Sequence, residues 1–217
     1  MVTLEQSLTP AERDLVASLR TPQAIQAFLD AIPYSIDPFY RCPLAVLRDG
    51  RAHCFDGALF AAAMLRRLGD PPLIVEMLPN ERDDDHLVAP FKRGRFWGAV
   101  AKSNFSGLRY REPVYRSLRE LIMSYFESFF NAAGEKTLRG YTLPLDLSRL
   151  DGLGWETCSE ALDAVAEQLD RARRVRILSP EQIAGLSPVD YRSLKAGLLG
   201  SDEAGLYKVQ GGLATDS

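Results

Sequence analysis

Two histidines and three cysteines supply all the imidazole and thiol chemistry of this 217-residue chain. Cys42, Cys54 and Cys158 are odd in number and contain no Cys-x-x-Cys pair, which excludes a disulfide framework and the paired ligands of a structural zinc site. No window approaches the roughly 20 apolar residues of a membrane-spanning helix. No cationic stretch followed by an apolar run and a small-residue cleavage site opens the chain, so no secretory leader is read and a cytoplasmic bacterial-type protein is expected. Long basic runs are also missing, and the net charge is −3. Neither the whole-chain charge nor any long basic run supplies the attraction that holds nucleic acid or an anionic membrane, so neither is expected as a partner, local basic patches aside. Repeats and low-complexity segments are lacking too. With 46% hydrophobic residues, the chain is read as one domain over residues 1–208, with a flexible tail at 209–217.

What is present begins with helix signals. Thr9 and Glu12 form a capping box with Pro10 at the first helical position, and Thr21 with Pro22 repeats the cap-then-proline pattern before Ile25, Phe28, Leu29 and Ile32. Prolines 33, 38 and 43 make the next stretch irregular, although Tyr34, Phe39 and Tyr40 let it pack. From Cys54 to Leu68 the residues are apolar around most of a helical circumference, so this helix is expected to be central. Three strand candidates follow, at 72–78, 86–91 and 95–102, with a tight turn in "KRGR". Helical patterns return at 117–133 and 155–174. "VRIL" is one more strand candidate, and Ser179 with Gln182 and Ser187 with Asp190 start two short helices. Helices around a short run of strands define an α+β fold rather than a doubly wound sheet.

The chemistry concentrates on Cys54. A helix N-terminus offers free N–H groups and the positive end of a dipole, which favour a thiolate nucleophile. His53 is adjacent in sequence and faces away on a helix, so it is read as structural. His86 opens the second strand and can return over the helix start as general base. The imidazole needs a third group to hold it, and no aspartate occurs between His86 and Asp146. Ser103 and Asn104 are the polar candidates at the end of the third strand. A regular hairpin pairing Phe91 with Phe96 puts Ser103 on the face of His86, and a one-residue change of loop length brings Asn104 there instead. Asn104 is preferred because an amide oxygen accepts a ring N–H firmly. The acidic run Glu81–Asp85 lacks the spaced ligands and glycine of a calcium loop and is read as a solvated loop. The arginines of "LRYREPVYR" are expected to pair with nearby acids, and Cys42 and Cys158 to be structural. No metal or other cofactor is implied.

A Cys opening an apolar helix that ends in "LRRLG", then a strand, a His opening the next strand and a polar residue closing a third resemble the transglutaminase-like superfamily of papain-type fold, over about residues 45–110. The resemblance implies a central helix with Cys at its N-terminus packed on a short antiparallel sheet, flanked by helices on both sides in sequence. It implies Cys54 as nucleophile, His86 as base and Asn104 where the family usually has Asp. Ala52 and Val88 stand where the family commonly has a glycine and an aromatic residue. The implied activity is hydrolysis or acyl transfer at an amide or thioester carbonyl of a protein, peptide or small amide. The alternative is an inactive interaction module on the same fold.

Overall fold

The computed structural model describes residues 3–207. Its first helices begin at the caps the sequence supplies. Thr3 caps α1 (Leu4–Ser7), Thr9 closes a reciprocal box with Glu12 over α2 (Pro10–Ser18), and Thr21 caps α3 (Pro22–Ala31). A helix not anticipated from the sequence, α4 (Pro43–Asp49), uses Pro43 at its first turn and stops at Gly50, whose φ of 60° suits glycine.

Central in the fold is α5 (Cys54–Arg67), with buried residues running without a break from Phe55 to Leu65. A helix enclosed on all sides needs close neighbours, and Gly57 provides one approach. A Cβ at Gly57 would lie 2.2 Å from the Lys102 Cβ, so only glycine lets α5 seat against the chain leaving the third strand.

The sheet contains β1 (Leu73–Leu78), β2 (His86–Arg93), β3 (Phe96–Val100), β4 (Arg111–Tyr115), β5 (Gly140–Thr142), β6 (Leu145–Asp146) and β7 (Arg174–Arg176). Its order is β4-β3-β2-β1-β5-β7, with β6 also on β1 and every pairing antiparallel. Alternate residues serve two cores. Ile74, Leu87, Ala89, Phe91 and Val100 join the cluster around α5. Val75, Met77, Val88 and Ala99 pack with Leu121, Ile122, Tyr125 and Phe129 on the other face. Both faces are covered, which is why these strands read as apolar runs rather than alternating ones.

Several expectations are corrected here. In the β2–β3 hairpin Arg93 pairs with Phe96 and Phe91 with Gly98, because Gly94 at φ 60° permits a two-residue turn. The register is thus offset by two from the one expected, which preserves face parity, and regular pairing ends at Val100. The helical pattern at 117–133 yields only α6 (Leu118–Met123), followed by a 3₁₀ turn at Phe126–Ser128. Ser124 Oγ bonds back to the Leu121 carbonyl at 2.6 Å, and Tyr125, Phe126, Phe129 and Phe130 are all buried, more than one helical stripe can serve. The pattern at 155–174 yields α7 (Leu162–Asp170), preceded by a 3₁₀ turn at Ser159–Ala161. Its early part instead receives the α4 loop, with Leu44 N–H on the Glu156 carbonyl and Cys42 N–H on Ser159 Oγ. Ser179 caps α8 (Pro180–Ala184) as anticipated, while Asp190 rather than Ser187 caps α9 (Tyr191–Gly197). The expected tail at 209–217 lies outside the described residues. Among the described residues, no helix is long and apolar enough to cross a membrane.

Candidate active site

The N-terminus of α5 is assembled by His53. Its Nδ1 accepts the Phe55 N–H at 3.1 Å, while Asp56 reaches back to the His53 N–H at 3.3 Å and also takes the Arg41 N–H at 2.8 Å. His53 is therefore a helix cap, and burial lowers its pKa. That leaves Cys54 at the first helical position, where the N–H is outside the helix's own ladder. A bridge between Tyr34 and Ala52, with Ser35 N–H on the Ala52 carbonyl at 3.0 Å, lays the proline-rich loop alongside and brings Tyr34 to the thiol.

His86 begins β2 opposite Met77 and is buried. Its Nε2 lies 2.8 Å from the Leu108 carbonyl oxygen. A carbonyl only accepts, so Nε2 carries the proton and the neutral ring keeps its lone pair on Nδ1. The loop presenting that carbonyl is itself tied down. Arg111 donates to the Gly107 carbonyl at 2.8 Å and the Tyr110 carbonyl at 3.0 Å, on either side of Leu108, and stacks its guanidinium 3.9 Å over the Tyr125 ring. The Tyr125 hydroxyl donates to the Arg109 carbonyl at 2.9 Å. Arg111 is thus spent on carbonyls and Ser124 rather than on an acid, and Arg109 lies 3.5 Å from Asp30 of α3, so the pairing expected with nearby acids holds for Arg109 and not for Arg111.

Cys54, His86, Ser103 and Asn104 line one cavity of about 50 Å³. Neither Ser103 nor Asn104 holds the imidazole there. Ser103 Oγ accepts the Phe105 N–H at 3.0 Å, and the Asn104 amide is engaged by the backbone of Asp202. The expected ring-orienting bond is made by the Leu108 carbonyl instead, because the chain leaves β3 before Ser103 and the following turn at 106–108 swings back under the ring.

Burial keeps the pair uncharged. Cys54 is half-buried, and the protein packed around its thiol, with the Asp85 carboxylate nearby, pushes its pKa up to about 12, against N–H groups of Leu87 and Phe55 that favour the thiolate. Burial lowers His86 to about 4, the Leu108 bond opposing it. The acidic run is more than the solvated loop expected. Asp83 accepts a 2.5 Å bond from the Thr137 hydroxyl, burial raises its pKa to about 6, and Asp83, Asp84 and Asp85 all line the cavity. Among the described residues, no group of three or more His, Cys, Asp or Glu side chains is arranged to hold a metal. Cys42 is buried, and Cys158 Sγ lies 3.2 Å from Glu160; all three thiols are free. A larger hollow of about 440 Å³ sits at the other end of α5, around Arg66, Arg67 and Asp151, with no nucleophile in its lining.

The sequence matches no family model and no curated protein. Among solved structures, calcium-bound LapG of Legionella pneumophila superposes with a TM-score of 0.35 at 19% identity, over 43% of this chain and 60% of that one. A second LapG structure gives 0.35 at 20% identity, over 46% and 66%, and EGTA-treated LapG gives 0.38 at 17% identity, over 68% and 88%. This chain spans less than two thirds of the first two.

Proposed function

We propose that the chain is a cysteine-nucleophile enzyme that hydrolyses or transfers an acyl group from an amide or thioester. The observation that carries this is one cavity lined both by a thiol at the first position of α5 and by an imidazole whose Nε2 is fixed on a carbonyl. Because both groups are neutral, the thiol proton leaves as the bond forms rather than beforehand. Sγ attacks the carbonyl carbon, its proton passes to His86 Nδ1, and the oxyanion lies at the free Cys54 N–H. His86 then gives that proton to the leaving amine or thiolate as its bond to carbon breaks. Water or an acceptor amine attacks the thioester, Nδ1 takes its proton, and the proton returns to sulfur as the acyl group departs. The Leu108 carbonyl stabilises the imidazolium that forms in each step, the role that a carboxylate or amide otherwise fills. The transglutaminase-like order of these residues along the chain supports the same reading.

The test uses p-nitrophenyl acetate as acyl donor. The expected result is acetylation of Cys54 well ahead of Cys42 and Cys158, read by peptide mass spectrometry, with His86→Ala slowing it about 100-fold. Acetylation spread evenly over the three thiols, or unchanged in His86→Ala, would overturn the proposal.

A further inference from the structure

The segment Asp202–Tyr207 lies across the Cys54 cavity. Asn104 holds it by a two-way bond to one residue: Nδ2 donates to the Asp202 carbonyl and Oδ1 accepts the Asp202 N–H, each at 2.8 Å. This is the pairing a neighbouring strand offers, and it recognises main chain whatever the side chain. The Asp202 carboxylate then accepts the Ala204 N–H at 3.0 Å and turns the segment. Gly205 descends between three side chains. A Cβ there would stand 3.1 Å from Asn104 Nδ2 and 3.2 Å from both Ile36 Cγ2 and Tyr34 Cδ1, tighter than side chains ordinarily pack. The Tyr207 hydroxyl finishes the run by donating to the Glu81 carbonyl at 3.3 Å. Upstream, Ser106 Oγ donates to the Ala196 carbonyl of α9 at 2.7 Å, so the segment is anchored on the same loop that presents Leu108 to His86.

Gly205 and Tyr207 wall the 50 Å³ cavity, and Ala204, Gly205 and Leu206 wall an adjoining hollow of about 310 Å³ that Cys54 also lines. The smaller space holds one or two waters, far short of the several hundred Å³ a bound substrate occupies. Gly205 of this segment lines both spaces, and the segment's outer residues, Asp202 to Ala204, are exposed.

We propose that Asn104, Tyr34 and Ile36 form a cleft for an extended peptide with a small residue at its floor, and that Asp202–Tyr207 occupies this cleft as an internal ligand that an external peptide displaces. The inference rests on Cys54 as nucleophile and assigns Asn104 to gripping substrate backbone.

The experiment follows iodoacetamide modification of Cys54 by peptide mass spectrometry in the full chain. Gly205→Leu is expected to raise the rate about tenfold or more by shifting the segment outward, and Tyr207→Phe to raise it by a smaller factor. The synthetic peptide Ser-Asp-Glu-Ala-Gly-Leu-Tyr, residues 201–207, is expected to return the Gly205→Leu rate toward that of the wild type, and a scrambled peptide to leave it unchanged. Equal rates in the folded Gly205→Leu variant and the wild type, or no effect of the native peptide, overturn the proposal. Should Gly205→Leu not fold, Tyr207→Phe, which removes one bond at the end of the segment, decides by the same comparison. His86→Ala in the opened variant separates the two ideas. An opened Cys54 whose reactivity ignores His86 defeats the nucleophile reading and leaves the cleft standing, whereas a Cys54 that never opens defeats the cleft alone.

Discussion

His86 is neutral in the fold and would be half-protonated near pH 6.5 in an unfolded chain, so its burial links stability to acid. With a folded pKa lowered to about 4, the unfolded chain binds the extra proton between those two values. Its contribution is therefore complete above about pH 6.5 and is lost as the pH falls through 4, a span on the order of 3 kcal/mol. Urea unfolding between pH 7 and 4 is expected to fall more steeply in the wild type than in His86→Gln; parallel curves would show that the ring is not the group responsible. The fold brings Cys54 and His86 to one cavity, and the placement of Cys54 at the start of a helix and of His86 at the start of a strand was legible from local pattern. The group that holds the ring was not. Main-chain oxygens have no signature in a sequence, and the polar side chain that stood closest to the role, Asn104, is claimed by a residue 98 positions away.

Among the elements, α5 and the three strands that follow it were readable because each is a dense apolar run between clear stops. The overlong helices at 117–133 and 155–174 were misread for a common reason: periodicity continued while the backbone bonds went elsewhere, to the Leu121 carbonyl in one case and to the α4 loop in the other. Close approach of elements is equally hidden, and Gly57 is its clearest instance. Gly57→Ala places a methyl carbon 2.2 Å from the Lys102 Cβ, where the Lys102 Nζ is already held by the Leu29 and Ile32 carbonyls at the end of α3. Helix propensity alone favours alanine there by about 1 kcal/mol. The overlap wins, and the variant is expected to lose about 2 kcal/mol or more on urea unfolding; a gain in stability would mean that α5 and the end of β3 can separate at little cost.

For the whole molecule, the α5-facing side of the sheet carries a second buried acid–base group that works against His86. Glu76, on β1, is buried with Oε2 lacking a partner among the described residues, and burial beside Asp85 raises its pKa to about 8. A carboxyl whose folded pKa is raised gives stability that is complete below its unfolded value near 4.5 and is lost as pH rises through 8. Between about pH 4.5 and 6.5 the two residues pull the fold in opposite directions, so the whole-chain pH profile is flatter than either alone predicts. Glu76→Gln is expected to raise the urea midpoint at pH 9 relative to the wild type and to leave it nearly unchanged at pH 5. A variant no more stable at pH 9 would place the alkaline loss on another group. The α+β class, the central helix and the shared cavity followed from local patterns, whereas the strand order and the crossing of the cleft by Asp202–Tyr207 depend on contacts far apart in sequence.

One consequence follows from the bond between His86 and the Leu108 carbonyl. Every residue at position 108 brings the same oxygen, so no codon change at that position deletes the atom that steadies the ring. Because the Leu108 side chain is itself buried in the core, a substitution there reports on packing, and the vulnerability of the oxygen would surface at Arg111 and Tyr125, which hold the loop in place. A scan of side chains would thus credit position 108 with packing alone and register its oxygen only through the two residues that hold the loop.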